Sequence, residues 1–274
     1  MFGKRMSAGI GECFDGPGVI KTVLICYYQY MYSMYSKYYD RLNTEYDHWI
    51  RFIKVSTAAY PDNSKLIEYG CGTGNMLVPF VGRFALAGVD LSAEMLAAAK
   101  EKLPGCSLYH HDMLNFSSDT KYDISLCLFD SINHLTDFSI WTEFFRTVYS
   151  NMSENGIFIF DANTTTRLAK ICERQPWFTE FDTNYFYMKL HRKSERNFIF
   201  DVRILSGDGR GNYREEREEV EETTADGSEI YRALQSVFGE ISVFNDRHEQ
   251  IYQEDFAANE NARWFFVCRK PQKR

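Results

Sequence analysis

Three alternating glycines form the part of the sequence best suited to binding chemistry. Gly70, Gly72 and Gly74 follow a predicted strand at Lys65–Tyr69, and a helical pattern runs over Asn75–Gly82. Glycine permits positive φ and lets a ligand lie against bare backbone. A helix starting at such a turn directs its free N–H groups toward that ligand. The stretch therefore predicts a nucleotide-like ligand at the carboxyl end of a strand, where open α/β sheets bind their ligands.

The spacing of these glycines separates the classes of nucleotide ligand. A dinucleotide fingerprint needs its third glycine at position 75, where this chain has Asn, and a P-loop needs a following Gly-Lys-Ser/Thr, which is missing. The pattern Glu-x-Gly-x-Gly-x-Gly resembles motif I of class I S-adenosylmethionine (SAM) dependent methyltransferases. This resemblance implies that the SAM-binding residues include Glu68, Gly70, Cys71, Gly72 and Gly74.

A carboxylate stands at the end of the second predicted strand, Phe84–Val89. Asp90 there can accept hydrogen bonds from a ribose diol, as an acidic residue does in dinucleotide folds. Capping of the helix that begins after Ser92 is the alternative. The run Gly-Val-Asp-Leu-Ser at 88–92 resembles the second motif of the same family. The resemblance implies that Asp90 and Leu91 bind the cofactor.

The third predicted strand, Cys106–His110, is followed by His111, Asp112 and Met113. In the family that this chain resembles, an acidic residue here binds the adenine amino group and its neighbour packs on the ring. Asp112 and Met113 match those positions. The two adjacent histidines point to opposite faces of a strand and have no third ligand at useful spacing, so no metal site is predicted.

A polar loop follows the fourth predicted strand, Tyr122–Leu128. It resembles the corresponding motif of amino-sugar N-methyltransferases and of the glycine N-methyltransferase-like group. The resemblance places Phe129 and Asp130 beside the sulfonium and the methionine moiety, and His134 beside the acceptor as a catalytic residue. A hydrogen-bonded loop histidine is the alternative. Asn133 replaces the family's glycine, so amino-sugar specificity is not carried over.

An aromatic-rich helical stretch is predicted at Val19–Asn43, with apolar residues at three- and four-residue steps. Tyr38-Tyr39-Asp40 and the following Tyr46 and Trp49 resemble the entry segment of small-molecule methyltransferases. The resemblance implies that Tyr39 faces the active site and orients the acceptor. A packed amphipathic helix is the alternative, and the two interpretations are compatible.

Strands alternating with helices predict βαβ units and a parallel sheet. We expect an α/β, Rossmann-like, doubly wound sheet of seven strands, parallel with an antiparallel last strand, plus an inserted antiparallel meander. The predicted domains are an N-terminal helical lid at 1–60, a SAM-binding core at 61–175, an inserted β subdomain at 176–224 and a C-terminal completion of the sheet at 225–274. The inserted part resembles the auxiliary sheet of the sugar-amine enzymes, which builds the substrate pocket and often a dimer contact.

Composition limits the partners. The 274 residues carry a net charge of −7 with no basic stripe, which argues against nucleic acid. No apolar run is long enough to span a membrane. The seven cysteines include no C-x-x-C pair and indicate reduced thiols in a cytoplasmic protein.

These patterns predict an enzyme that transfers a methyl group from SAM to a nitrogen or oxygen of a small-molecule acceptor by in-line displacement. A homodimer is an open possibility. The alternatives are a methyltransferase acting on RNA or protein, a SAM-binding regulatory or scaffolding protein without transferase activity, and an NAD-dependent oxidoreductase. The last is disfavoured by the residue at position 75.

Overall fold

The chain forms two separate β-sheets in the computed structural model, which describes residues 35–260 and 263–271. The strands are β1 Lys65–Tyr69, β2 Ala85–Asp90, β3 Ser107–His110, β4 Tyr122–Cys127, β5 Met152–Asn163, β6 Trp177–Phe181, β7 Asn184–Arg192, β8 Asn197–Gly207, β9 Tyr213–Thr223, β10 Glu240–Phe244, β11 Gln250–Ile251 and β12 Arg263–Arg269. The α-helices are α1 Tyr39–Leu42, α2 Asp47–Ser56, α3 Ala93–Lys102, α4 Trp141–Asn151, α5 Thr165–Cys172, α6 Gly227–Gln235 and α7 Phe256–Asn259.

The larger sheet has the strand order β11-β10-β12-β5-β4-β1-β2-β3. Strands β1 to β5 are parallel, and β12 runs antiparallel to β5. Its central strands are buried on both faces, as Leu66, Ile67 and Leu126 show, and such strands read as continuous apolar runs. This confirms the predicted Rossmann-like α/β class; the two-residue β11 is one strand more than predicted.

The second sheet is an antiparallel meander, β6-β7-β8-β9, as predicted, with β6 as an additional edge strand. The acidic run at 214–222 lies on β9. A run of this kind is usually a solvated strand face, and Arg217, for example, is half-exposed and pairs with Asp201 across the sheet at 2.8 Å. The last residue of the run, Glu222, is buried instead.

The helix predicted at Asn75–Gly82 is absent. Only a short 3₁₀ turn, Val78–Phe80, follows the glycine loop. Pro79 explains this, since proline lacks the N–H of an α-helical hydrogen bond and its ring clashes with the carbonyl four residues earlier. Proline also disfavours the α conformation at the preceding residue, Val78. No α-helix N-terminus therefore faces the ligand here, and the loop's own backbone must provide the site.

A buried asparagine joins the two sheets. Asn133 donates from Nδ2 to the carbonyl oxygens of Asn163 at 3.1 Å and Thr223 at 2.8 Å, and its Oδ1 accepts from Asn163 N at 3.0 Å. The loop after β4 is thereby tied both to the end of β5 and to the end of β9. The second sheet consequently contributes one wall next to the carboxyl edge of the first.

Most of the predicted stretch Val19–Asn43 lies outside the described residues, and within them its end forms a 3₁₀ turn, Tyr35–Lys37, and α1. Across residues 35–260 and 263–271 no helix is long and apolar enough to cross a membrane.

Candidate active site

The three glycines after β1 serve different purposes. All have left-handed φ, at +71° for Gly70, +51° for Gly72 and +77° for Gly74. A Cβ on Gly70 would lie 2.8 Å from Cβ of Ser131, and one on Gly74 would lie 2.6 Å from Cδ1 of Leu103. A Cβ on Gly72 would meet no heavy atom within 4 Å. The outer two glycines permit close packing, whereas Gly72 faces open space in which a ligand can lie on the backbone.

Asp90, at the end of β2, is oriented by the same loop. Its Oδ2 accepts from Gly72 N at 2.7 Å, and its Oδ1 accepts from Ser92 N at 2.9 Å. Burial raises the pKa of Asp90, and these backbone amides oppose the rise. Each carboxylate oxygen can accept two hydrogen bonds, so each retains a position for a ribose hydroxyl. Asp90 is thus held beside Gly72 as the ribose prediction requires.

Glu68, under the glycine loop, is a buried carboxyl without a complete set of partners. It is 2% exposed, and its Oε2 has no hydrogen-bond partner among the described residues. Burial, and then the charges of Asp90 and Asp161, raise its pKa well above the ordinary value. A buried polar atom without a partner is costly. An ammonium group of a bound ligand, or a rearranged loop amide, would satisfy it, which fits the role predicted for Glu68.

Cys71 contributes only its backbone to the loop. Its side chain points into the sheet, where Sγ would lie 2.7 Å from a Cβ on Gly88. Burial raises the pKa of the Cys71 thiol well above its ordinary value. The thiol is therefore a packing group, and contact with a ligand would come from the Cys71 peptide.

Leu91, Asp112 and Met113 lie at the carboxyl ends of β2 and β3, and all three are partly exposed. Asp112 Oδ1 accepts from Leu114 N at 2.9 Å. The sulfur of Met113 lies 3.9 Å from the Cβ position of Gly70. The structure therefore brings Met113 beside the glycine loop, while adenine contacts by these residues stay predictions.

The loop after β4 begins with two strained residues. Phe129 and Asp130 have φ of +58° and +59°, a region that non-glycine residues occupy at a cost of about 1–3 kcal/mol each. Their amides donate to Asp161, at 2.6 Å from Phe129 and 3.2 Å from Asp130. Asp161, near the end of β5, is fully buried and holds this loop in its conformation.

Arg263, which belongs to none of the sequence motifs, is the counter-ion of both aspartates. Its Nη1 lies 2.5 Å from Asp161 Oδ2 and 3.0 Å from Asp130 Oδ1. Burial alone would raise the pKa of Asp130, but the Arg263 guanidinium lowers it below its ordinary value. The available sequence signal was an arginine at the start of a last strand whose interior is apolar. Asp130, predicted beside the sulfonium, is thus part of a buried ionic cluster.

Aromatic rings that precede β1 in the chain pack over the loop after β4. The Phe129 ring centroid lies 4.9 Å from that of Trp49 and 5.4 Å from that of Tyr46. The Arg263 guanidinium stacks on Trp49 at 5.3 Å. The entry segment predicted from its tyrosines and tryptophan therefore contacts the loop that bears Asp130.

His134 lies on the 3₁₀ turn Ser131–His134, facing the second sheet. Its Nδ1 is 3.5 Å from the carbonyl oxygen of Glu221 on β9. Burial lowers the pKa of His134, and the charge of Asp130 opposes this. A lowered pKa favours neutral imidazole, in which one ring nitrogen can accept a proton. Its chemistry as a base stays a prediction.

Tyr39 packs against the second sheet. With Tyr38 and Leu42 it contacts an apolar cluster whose buried members are Phe186, Val202 and Ile204. The second sheet therefore supports Tyr39 through β7 and β8 and contacts His134 through β9. The orienting role of Tyr39 stays a prediction.

Asp40 is a site residue whose role was missed. Its Oδ1 accepts from Thr73 Oγ1 at 2.5 Å and from Asn75 Nδ2 at 2.8 Å, and its Oδ2 pairs with Lys102 at 2.7 Å. The entry segment is thus bonded directly to the glycine loop. The available sequence signal was the position of Asp40 directly after two tyrosines. Asn75 also bonds Tyr46 at 2.9 Å, so the residue that excluded a dinucleotide motif serves this junction.

Within residues 35–260 and 263–271, no group of three or more His, Cys, Asp or Glu side chains is arranged to hold a metal ion.

Replacing Gly72 by alanine is expected to weaken SAM binding by at least about tenfold, because the new Cβ would occupy the open space beside the backbone. Gly82 is the matched control: its φ is +80° and a Cβ there also meets nothing within 4 Å. Both variants should lose similar stability, on the order of 1–2 kcal/mol, from left-handed alanine. Calorimetric titration with SAM checks this. Equal affinities in the two variants would contradict the placement of the ligand at Gly72.

Comparison with known proteins identifies the core. Residues 66–156, which run from β1 into β5, match a family model described as a methyltransferase domain. This part of the chain is a methyltransferase domain. A Bacillus subtilis protein, YqeM, named as a candidate methyltransferase, is 25% identical over 187 residues, which are 65% of this chain and 74% of that protein.

Solved structures show the same fold for this methyltransferase. A SAM-dependent methyltransferase from Clostridium acetobutylicum has a TM-score of 0.73 at 23% identity, covering 88% of this chain and 99% of that one. The SAM-bound amino pentose methyltransferase CalS10 from Micromonospora echinaspora has a TM-score of 0.66 at 22% identity, covering 86% and 95%. The fold is therefore that of SAM-dependent methyltransferases. The open space at Gly72, the Asp90 carboxylate and the unpartnered Glu68 oxygen fit SAM as the cofactor.

Proposed function

We propose that this methyltransferase transfers the methyl group of SAM to a nitrogen or oxygen of a small-molecule acceptor by in-line displacement. The observation that carries the proposal is the meeting of two loops. Ser131 Oγ donates to Gly70 O at 3.2 Å, so the loop bearing Asp130 and His134 contacts the glycine loop directly. A polar loop placed there can hold an acceptor next to the sulfonium side of the ligand.

The chain's own task would be positioning. SAM supplies an activated methyl group when bound, so the difficult chemistry belongs to that molecule. Alignment of acceptor, methyl carbon and sulfur can contribute roughly 7–11 kcal/mol of barrier reduction. Neutral His134 would accept a proton from the acceptor, and Tyr39 would orient it. CalS10, an amino pentose methyltransferase of the same fold, supports a small-molecule acceptor. The homodimer and the cytoplasmic location stay predictions.

Screening amine and phenol metabolites for release of S-adenosylhomocysteine tests this function. With an accepted substrate, His134→Ala is expected to lower kcat by about 10²–10⁴-fold, the usual contribution of a general base. Tyr39→Phe should raise KM more than it lowers kcat. His191→Ala, an exposed histidine on β7, is the control and should behave like wild type.

Turnover separates this function from a SAM-binding protein without transferase activity, because calorimetry would show SAM binding in both cases. Tight SAM binding with turnover of no small molecule would favour a regulatory protein or a macromolecular substrate. Turnover unaffected by His134→Ala and Tyr39→Phe would contradict the roles proposed for those two residues.

A further inference from the structure

A buried glutamate of the second sheet lies against the loop after β4. Glu222 of β9 is 3% exposed. The Nδ2 group of Asn163 donates to Asp130 Oδ2 at 2.7 Å and to Glu222 Oε2 at 3.1 Å. Because one amide nitrogen contacts an oxygen of each, the two carboxyl groups lie side by side in a buried site. Two buried carboxyls placed this close do not both ionise readily, so one of them keeps a proton.

The proton belongs to Glu222. Burial, followed by the charge of Asp130, raises the pKa of Glu222 well above its ordinary value. Asp130 is held ionised by Arg263, which lowers the pKa of Asp130 against the effect of burial. The pair is therefore a carboxylate and a carboxylic acid that share one proton, an arrangement typical of two carboxyls in one buried site.

The charges around Glu222 balance only while it keeps that proton. Arg167 bonds Asn163 through Nε at 3.1 Å and interacts with both Asp130 and Asp161. The ionisable groups around the cluster are Asp130, Asp161, Arg167, Arg263 and neutral His134, with the exposed Asp246 facing Arg167 and the buried Glu68 facing Asp161. Within the cluster two carboxylates offset two guanidiniums, and an ionised Glu222 would add a buried negative charge without a counter-ion of its own. The cluster reaches the surface through the side chains of Asp130 and Arg263, which are 16% and 12% exposed.

We propose that Glu222 is an acceptor-binding residue and that the acceptor is a basic amine whose positive charge takes the place of the Glu222 proton. This inference rests on the proposed methyl transfer and narrows it from nitrogen or oxygen to nitrogen. A hydroxyl acceptor carries no charge and could not compensate an ionised Glu222. The second sheet would thereby select the acceptor as well as support Tyr39.

The proton transfers balance. When an ammonium form, R–NH₃⁺, binds, the Glu222 proton leaves to solvent. One N–H proton then moves to the Glu222 carboxylate, which restores the acid and leaves R–NH₂ with a free electron pair. That pair forms the bond to the methyl carbon while the carbon–sulfur bond breaks and its electrons remain on sulfur. The second N–H proton, which nitrogen releases as the carbon–nitrogen bond forms, goes to neutral His134, so the two residues accept different protons.

The first test needs no acceptor. In Glu222→Gln the new amide can donate to Asp130 and its oxygen can accept from Asn163, so the variant should fold. A carboxyl with a raised folded-state pKa stabilises the protein fully below its unfolded value, near 4.5, and this stabilisation is lost as the pH rises through the folded value. Wild type should therefore lose stability relative to Glu222→Gln as the pH rises above 4.5, as measured by urea unfolding.

The control is the neighbouring residue on the opposite face of β9. Glu221 pairs with Lys193 at 2.7 Å outside the cluster, and Glu221→Gln should show no such trend. A stability difference between wild type and Glu222→Gln that is independent of pH would overturn the shared proton.

The second test uses turnover. Ethanolamine, glucosamine and tyramine are compared with ethylene glycol, glucose and tyrosol for release of S-adenosylhomocysteine. We expect methylation among the amines alone, a fall of about 10²-fold or more in kcat/KM for Glu222→Gln, and unchanged SAM affinity. Unchanged amine turnover in Glu222→Gln, or methylation of the hydroxyl compounds, would overturn the inference. If the wild-type protein binds SAM but methylates none of the six compounds, the result counts against the proposed function. The unfolding experiment then still tests whether Glu222 carries a proton.

Discussion

Replacing Arg263 by methionine is expected to lower the free energy of unfolding by about 3–5 kcal/mol, the usual cost of removing one partner of a buried ion pair. The reason is that Asp161 is completely buried, the Asp130 side chain is only 16% exposed, and both pair with the same guanidinium. Methionine preserves much of the side-chain volume, so the loss would come from uncompensated charge. Urea unfolding followed by circular dichroism measures it.

Arg247 provides the matched control for this substitution. Its side chain is 76% exposed and pairs with Glu249 at 3.3 Å. Surface ion pairs contribute about 0–1 kcal/mol, so Arg247→Met should change stability very little. A similar small change in Arg263→Met would show that the two aspartates do not depend on Arg263.

Replacing Asp90 by asparagine should weaken SAM binding by about 10²–10⁴-fold. A hydrogen bond to a charged group contributes about 1.5–3 kcal/mol. In Asp90→Asn the two ribose hydroxyls would no longer bond a charged carboxylate, and the loss of both bonds corresponds to this fall in affinity. The asparagine amide would in addition point N–H groups at Gly72 N or Ser92 N, which now donate to Asp90. Calorimetric titration with SAM measures the affinity.

Asp119→Asn, at an exposed loop position, controls for the loss of one negative charge and should bind SAM like wild type. The unfolding free energy of both variants is needed to show that each remains folded. Retained SAM affinity in folded Asp90→Asn would remove Asp90 from the ribose site.

Local signals in the sequence predicted the features that depend on residues close together in the chain. Serine is a preferred residue type before the first turn of a helix, and Ser92 Oγ accepts from Met95 N at 3.2 Å at the start of α3. The parallel core was predicted because short strand patterns alternate with helical patterns along the chain. The helix after the glycine loop failed because the apolar pattern was given more weight than Pro79, whose effect on a helix is equally local. Strand β6 was missed because it lies at a sheet edge, largely exposed, without clear alternation.

Contacts that build the acceptor side of the site join distant parts of the chain. Asp130 and Arg263 are 133 positions apart, and Asn133 and Thr223 are 90 positions apart. No periodicity relates such residues, so Arg263, Asn163 and Glu222 became visible only with the tertiary structure. The motif residues were recognisable because one tight loop contains them.

The structure of the protein bound to S-adenosylhomocysteine tests the central claim most directly. Both ribose hydroxyls should lie within hydrogen-bonding distance of Asp90. The ligand should contact the backbone of Gly72, with its sulfur toward the loop of Asp130 and His134. A ligand bound elsewhere, with Asp90 engaged only by the amides of Gly72 and Ser92, would contradict it.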